Sequence, residues 1–231
     1  MSNILQNRVQ MLFGSKQDED ETVVAMLASA LRRDISFGLL RPDEKLKLNG
    51  LRQRYGGSNH SMRETLRLLS AEGLVAATAQ RGFRVTSATS QDQQDILFMR
   101  VQIEKMALER ALKLGDVAWE GRILAAHHAM RHRETLVQED LSDLAALEWD
   151  NACRGFFYSL CDASDSPRLL DTQQKYYDQS RRFRLAALRE GRLDFAQRAA
   201  QHHALLTAAL ARDTGTALGL LETVITTELQ A

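Results

Sequence analysis

The most constraining feature of this sequence is the stretch Leu48–Val85, in which short apolar patterns alternate with glycine turns. Its first part predicts a short helix over Leu48–Tyr55 and a tight turn at Gly56-Gly57. The hydroxyl of Ser58 can accept a hydrogen bond from an N–H at the start of a second helix, which we expect to end near Glu72. Two helices joined by so short a turn indicate a helix-turn-helix.

Two β-prone segments follow the second helix, Leu74–Thr78 and Phe83–Thr86. A turn that contains Arg81-Gly82 separates them, so the pattern predicts an antiparallel hairpin. A helix-turn-helix followed by a hairpin is the order of elements in a winged helix-turn-helix.

The second helix has two chemically different faces. At about 100° per residue, Met62, Leu66 and Leu69 share an apolar face that can pack on the preceding helices. The opposite face is cationic and consists of His60, Arg63 and Arg67. This pattern is typical of a recognition helix that enters a DNA major groove. The alternative is the solvated face of an ordinary helix.

The net charge of zero conceals an uneven distribution. Residues 21–87 contain 11 lysines and arginines against 6 acidic residues, so this part carries about five positive charges. Residues 93–231 contain 17 against 20 and carry about three negative charges. A basic segment joined to an acidic one indicates a DNA-binding module with a separate regulatory domain.

The composition indicates a soluble, mostly helical protein, with 44% hydrophobic residues and only two prolines among 231 residues. No apolar run reaches the roughly 18 residues that a membrane span requires, and the N-terminus does not resemble a signal peptide. We therefore expect a cytoplasmic protein without membrane association, in which Cys153 and Cys161 are reduced thiols.

The predicted organisation has four parts. Residues 1–20 form a flexible arm, 21–87 the winged helix-turn-helix, 88–92 a linker, and 93–231 an all-helical domain for effector binding and dimerisation. The predicted fold class is mainly α, with a small β-hairpin wing and a C-terminal antiparallel six-helix bundle. The bundle helices are expected at approximately 92–113, 117–134, 139–163, 167–190, 193–211 and 216–229.

The segment ISFGLLRPDEKLKLNGLRQRYGGSNHSMRETLRLLSAEGLVAATAQRGFRV resembles the DNA-binding domain of the GntR family of bacterial transcription regulators. The family pattern is roughly I-x-x-G-x-x-x-P-G-x-x-L, then L-A-x-x-x-G-V-S-R-x-P-V-R-E-A-L-x-x-L-x-x-E-G-L-V, then R-G-x-x-V. This chain departs from the pattern at several positions, including Asp43 for glycine, Gly57 for valine and Asn59 for arginine.

The resemblance implies which residues contact DNA. Ser58, Asn59 and Arg63 match the positions that open the recognition helix, and Arg81-Gly82 matches the tip of the wing in the minor groove. Arg63 is the best candidate for reading a base, since arginine can bond bidentately to guanine. The full predicted DNA-binding set is Ser58, Asn59, His60, Arg63, Arg67, Arg81 and Gly82.

Three segments of the remaining chain, LFMRVQIEKMALERAL, FFYSLCDASDSPRLL and QHHALLTAALARDTGTAL, resemble the FCD domain. This is the ligand-binding domain of FadR-type GntR regulators. The run that begins at Trp149 and the later YYDQSRRFR suggest the branch of carbon-starvation and dicarboxylate-responsive repressors.

Many FCD domains hold a divalent metal, and the resemblance places its ligand positions at Cys153, Phe157, His202 and Val224. Phenylalanine and valine cannot coordinate a metal, so we expect no metal and no cofactor here. Arginine can hold a small carboxylate instead. Arg100 is the best candidate, and a simple salt bridge with Glu104 is its alternative role. The predicted effector-binding set is Arg100, Cys153, Arg154, Phe157, Tyr177, His202 and Val224.

The sequence as a whole predicts a homodimeric repressor that binds double-stranded operator DNA. A small organic effector in the bundle, for which a carboxylate is one candidate, is expected to modulate this binding. In the alternative reading the bundle only dimerises and senses no small ligand. No phosphate-binding loop, H-E-x-x-H motif or Ser-His-Asp signature is present, so we do not expect an enzyme.

Overall fold

A computed structural model of the chain describes residues 23–78 and 82–230. The chain forms two compact units, Met1–Ser87 and Ala88–Ala231. The predicted arm at residues 1–20 lies outside the described residues. None of the described helices is long and apolar enough to cross a membrane.

The first unit is the predicted winged helix-turn-helix, and the fold class is confirmed. The elements described in chain order are α1 (23–36), β1 (Lys45–Leu46), α2 (Leu48–Tyr55), α3 (Asn59–Ala71), β2 (Val75–Thr78) and β3 (Gly82–Val85). The strands form one antiparallel sheet in the order β1-β3-β2, with Val75 opposite Val85 and Lys45 opposite Arg84.

Strand β1 was not predicted, because two residues are too few to show the alternation that identifies a strand. It forms where the chain turns back at Asp43, which adopts a left-handed backbone with φ of 64°. The Asp43 N–H donates to the Val85 carbonyl and the Val85 N–H donates to the Glu44 carbonyl. These bonds attach the turn to the edge of β3.

The core of the first unit contains the predicted apolar face of α3. Met62, Leu66 and Leu69 are fully buried, and Leu31 of α1 and Val85 of β3 belong to the same cluster. Burying side chains of this size stabilises the fold by about 1.5–3 kcal/mol each. The core therefore fixes which face of α3 remains exposed.

A buried carboxylate connects α1 to α2. Asp34 is 1% exposed and accepts hydrogen bonds from the Tyr55 hydroxyl at 2.5 Å and from Arg54 Nη2 at 2.6 Å. Arg33 also pairs with Asp34 at 2.7 Å. Burial, together with the hydrogen bond to Asp34, raises the pKa of Tyr55 above its ordinary value, so the phenol remains a donor.

The second unit contains six described α-helices, as predicted. Thr89 Oγ1 accepts the Asp92 N–H at 3.1 Å, so the first helix already begins at Ser90, within the segment 88–92 that was interpreted as a linker. The helices are α4 (Ser90–Leu114), α5 (Val117–Glu139), α6 (Asp143–Cys161), α7 (Pro167–Arg189), α8 (Phe195–Leu210) and α9 (Thr214–Gln230).

We expect Tyr55→Phe to lower the free energy of unfolding by about 1–2 kcal/mol, because buried Asp34 loses a hydrogen-bond donor. The measurement is denaturant unfolding of the full chain. Tyr176→Phe, at a partly buried tyrosine for which no side-chain bond is described, is the matched control. Equal stability of the two variants would contradict a role for this bond.

Candidate DNA interface and effector site

The start of α3 is fixed by a reciprocal cap. Ser58 Oγ accepts the Ser61 N–H at 3.0 Å, and Ser61 Oγ accepts the Ser58 N–H at 2.9 Å. This confirms that Ser58 caps the second helix and defines Asn59 as its first residue. The positive end of the helix dipole lies at this point and favours an anion such as a DNA phosphate.

The predicted reading face of α3 is exposed. Asn59, His60, Arg63 and Arg67 all face solvent, opposite the buried Met62. Arg67 Nη1 pairs with Glu64 Oε1 at 2.5 Å, so part of its charge is neutralised. None of the described carboxylates pairs with Arg63, which leaves its guanidinium available to DNA.

The wing is described only in part. Gly82 begins β3 with φ of 83°, a conformation that favours glycine, and it is exposed. Arg81 lies outside the described residues. The role of both residues in DNA binding therefore stays a prediction.

The interior of the second unit contains an unusual number of polar side chains. We call Arg100, Glu104, Asp150, Gln173, Tyr177 and Arg184 the inner polar cluster, and all six are fully buried. A buried charge requires compensating partners, so the geometry of the cluster shows how each charge is held.

Asp150 is the centre of one half of the cluster. Its Oδ1 accepts bonds from Arg184 Nε at 2.9 Å and Nη2 at 2.8 Å, and its Oδ2 accepts one from Arg181 Nε at 2.5 Å. Burial alone would raise the pKa of Asp150, but the positive charges of Arg184 and Arg181 outweigh it and hold the pKa below its ordinary value. The carboxylate is therefore ionised.

Arg100 is the centre of the other half. Its Nε lies 2.8 Å from Glu104 Oε1, and its guanidinium carbon lies 4.7 Å from the centre of the Tyr177 ring and 5.4 Å from that of Phe157. The salt bridge that was the alternative role for Arg100 is therefore present. Two aromatic rings also contact the guanidinium, and such contacts favour a cation.

The four positions at which the resemblance places metal ligands do not suit a metal. Arg198 Nη2 lies 3.9 Å from Cys153 Sγ, so a guanidinium already lies beside the thiol. His202 packs on the Phe157 ring, with centroids 5.9 Å apart, and Val224 is buried. Among the described residues, no three His, Cys, Asp or Glu side chains are arranged to hold a metal ion.

A third buried carboxylate, Glu134 of α5, faces α8. Its Oε1 lies 3.7 Å from Arg198 Nε and 3.6 Å from His202 Nδ1. Burial would raise the pKa of Glu134, but the nearby His202 and the positive charges of Arg198 and Arg131 lower the pKa overall.

Arg154 is separated from the other predicted effector residues. Its Nη2 bonds to Gln174 Oε1 at 3.0 Å and to Asp178 Oδ2 at 3.2 Å. These side chains adjoin an open groove of about 380 Å³ on α6 and α7, lined by Asn151, Arg154, Gly155, Tyr158 and Gln174. The structure therefore joins Arg100, Phe157, Tyr177 and His202 in one chain of buried side-chain contacts. It places Arg154 apart from them, at the open groove.

Sequence reasoning predicted Tyr177 but missed several other interior polar residues. Gln173, Tyr177, Ser180 and Arg184 recur at helical spacing and form one buried stripe on α7. That spacing was visible in the sequence, but Gln173 and Ser180 were not singled out, because a polar stripe is normally interpreted as a solvated face. No comparable signal identified the other missed residues, which are Glu134, Trp149, Asp150 and Arg198.

Two family profiles together cover most of the chain. The profile described as "Bacterial regulatory proteins, gntR family" matches residues 24–85, and the FCD domain profile matches residues 95–227. The chain belongs to the GntR family. The predicted family and its FCD domain are thereby confirmed, whereas the narrower carbon-starvation and dicarboxylate branch stays a prediction.

Similar GntR-family proteins are transcription regulators. The HTH-type transcriptional repressor GlaR of Escherichia coli (strain K12) is 34% identical over 194 residues, covering 83% of this chain and 87% of that protein. The uncharacterized HTH-type transcriptional regulator BphR of Paraburkholderia xenovorans (strain LB400) is 33% identical over 184 residues, covering 79% and 74%.

Solved structures support the same fold. Escherichia coli McbR/YncC aligns with a TM-score of 0.70 and 18% identity over 90% of this chain and 95% of that chain. A putative GntR transcriptional regulator from Rhodococcus sp. RHA1 aligns with a TM-score of 0.68 and 21% identity over 90% and 96%. Because the sequence identities are 18% and 21%, these two structural alignments support the fold alone.

We expect Asp150→Asn to lower the free energy of unfolding at pH 7 by about 3–5 kcal/mol, because Arg184 and Arg181 lose a buried counter-charge. Asp171→Asn, at an exposed position on α7, is the matched control and should change stability little. A small and equal change in both variants would contradict the importance of the Asp150 pairing.

The lowered pKa values of Asp150 and Glu134 also predict the pH dependence of stability. A carboxylate with a lowered pKa in the folded state stabilises the fold above its unfolded value, about 4, and this stabilisation is lost as the pH falls further. Thermal unfolding midpoints should therefore decrease below about pH 4. Asp150→Asn should show a smaller acid-dependent decrease than the natural chain.

Proposed function

We propose that this GntR-family transcription regulator is a repressor that binds operator DNA as a homodimer through α3 and the wing. A small organic effector, bound at the inner polar cluster, changes its affinity for the operator. The observation that carries the effector site is a buried glutamine amide, that of Gln173, without a hydrogen-bond partner among the described residues, on the same buried stripe of α7 as Tyr177 and Arg184.

The DNA-binding half of the proposal is supported by the reading face of α3. Asn59, His60 and Arg63 are exposed on a helix whose other face is fixed by the core, so their position cannot shift without unpacking the unit. A dimer would present two such helices to the two halves of a palindromic site.

The effector half is supported by buried polar atoms. Gln173 is fully buried, and neither its amide nitrogen nor its amide oxygen has a hydrogen-bond partner among the described residues. The same holds for Trp149 Nε1. Leaving such groups unbonded costs about 1–3 kcal/mol each, so native proteins rarely tolerate them. A polar ligand supplies the missing partners.

The buried guanidiniums favour an anionic ligand. Four arginines whose side chains are at most 13% exposed contact the buried carboxylates Glu104, Glu134 and Asp150. These guanidiniums belong to Arg100, Arg181, Arg184 and Arg198. Arginine matches the geometry of a carboxylate, so a carboxylate is the ligand that such an interior suits best.

We expect Arg63→Ala to weaken binding to the preferred operator by about 1–3 kcal/mol and to relax base preference at one position of each half-site. Binding to labelled duplexes selected from a random pool measures both effects. Arg168→Ala removes an exposed arginine of α7 and is the matched control. Unchanged affinity and selectivity in Arg63→Ala would overturn its assignment.

We expect at least one small mono- or dicarboxylate to raise the thermal unfolding midpoint and to change operator affinity. Gln173→Leu should abolish this response while preserving the folded state, because leucine fills similar space without polar atoms. Gln102→Leu, at an exposed position on α4, should retain the response.

If no carboxylate in a broad panel raises the thermal unfolding midpoint of the natural chain or changes its operator affinity, the alternative is favoured, in which the bundle only dimerises. Burial of Phe157 and Val224 at two of the inherited ligand positions is consistent with that alternative. An equal response in Gln173→Leu would instead place the effector elsewhere.

A further inference from the structure

Arg52, an arginine of α2, contacts the start of the proposed recognition helix α3. Arg52 of α2 donates from Nε to the Gly57 carbonyl and from Nη1 to Asn59 Oδ1, with both distances 3.3 Å. Its guanidinium therefore spans the turn between the two helices and touches the first residue of α3.

The charge of Arg52 is not neutralised within the described residues. Arg54 pairs with Asp34 and Arg67 pairs with Glu64, whereas no described carboxylate pairs with Arg52 or Arg63. Arg52 is exposed, and no described residue provides an acceptor for its Nη2. Of the four arginines on α2 and α3, Arg52 and Arg63 thus present uncompensated charge.

The bond to Asn59 also orients the carboxamide. Because Arg52 donates to Oδ1, the amide oxygen faces the guanidinium and the Nδ2 donors are directed away from it. The oxygen retains a second lone pair. An asparagine so held can accept from N6 and donate to N7 of an adenine in the major groove.

The sequence shows an exchange at the same two positions. The GntR pattern has alanine at the position of Arg52 and arginine at that of Asn59. In this chain the cation lies on α2 and the amide lies on α3, and the two side chains are in hydrogen-bond contact. The exchange therefore keeps a guanidinium beside the start of the recognition helix.

We propose that Arg52 and Asn59 form one operator-reading unit, in which Arg52 contacts a DNA phosphate and holds the Asn59 carboxamide against an adenine. This inference rests on the proposed function, since it assumes that α3 enters the operator. The inference adds a phosphate contact from α2. It also explains why Asn59, the first residue of α3, would prefer an adenine.

The test measures binding of the full-length chain to its preferred duplex, selected from a random pool, across a series of KCl concentrations. Arg52→Ala is expected to weaken binding about tenfold and to reduce the slope of log affinity against log salt by about one. Arg168→Ala, with the same change of charge in the second unit, should change neither quantity.

The positioning role has its own readout. Arg52→Lys should keep the salt slope, because the charge remains, but should lose preference for adenine at the base read by Asn59. The effects of Arg52→Ala and Asn59→Ala on that preference should not add in the double variant, because both remove the same contact. Arg52→Ala/Asn59→Arg should regain the salt slope by returning the cation to α3.

The outcomes separate the inference from the function on which it rests. If the natural chain selects no preferred duplex, the proposed function fails. If Arg63→Ala weakens binding while Arg52→Ala retains full affinity and salt slope, only the Arg52 inference is wrong. If the Arg52→Ala variant is unstable, the Arg52→Lys variant provides the test. Adenine preference retained in Arg52→Lys would also overturn the proposal.

Discussion

The pairing of buried carboxylates with guanidiniums is the constraint on which both units depend. Asp34 in the first unit and Asp150 in the second are almost inaccessible to water, and each accepts bonds from two arginines. Without those partners the ionised form would be strongly disfavoured in the interior. Asp34 joins α1 to α2, and Asp150 joins α6 to α7 within the bundle.

The same pairing shapes the chemistry of the FCD interior. Where the family pattern places metal ligands, this chain has Phe157 and Val224, and arginines approach from α4 and α8. Guanidiniums are therefore the cationic groups of this interior. Arginine can bind carboxylate oxygens directly, and the proposed effector site relies on this property.

Much of the fold was predictable because its signals are local. The apolar spacing of Met62, Leu66 and Leu69, the cap at Ser58 and the glycine turns identified the winged helix-turn-helix, and helical periodicity identified six bundle helices. The site was less predictable. Arg154 was grouped with Arg100 because both are arginines of the bundle, but it lines an outer groove. Gln173 and Ser180 were not recognised as buried, because polar residues on a helix usually face solvent.

The sequence by itself determined the family, the order of the helices and the cationic face of α3, since these depend on spacing along single helices and turns. Only the tertiary structure decided which polar groups are buried and which charges are neutralised. Arg52 and Arg67 are indistinguishable as sequence letters, yet one contacts Asn59 and the other pairs with Glu64. Such partnerships depend on how helices pack, and periodicity within one helix cannot specify them.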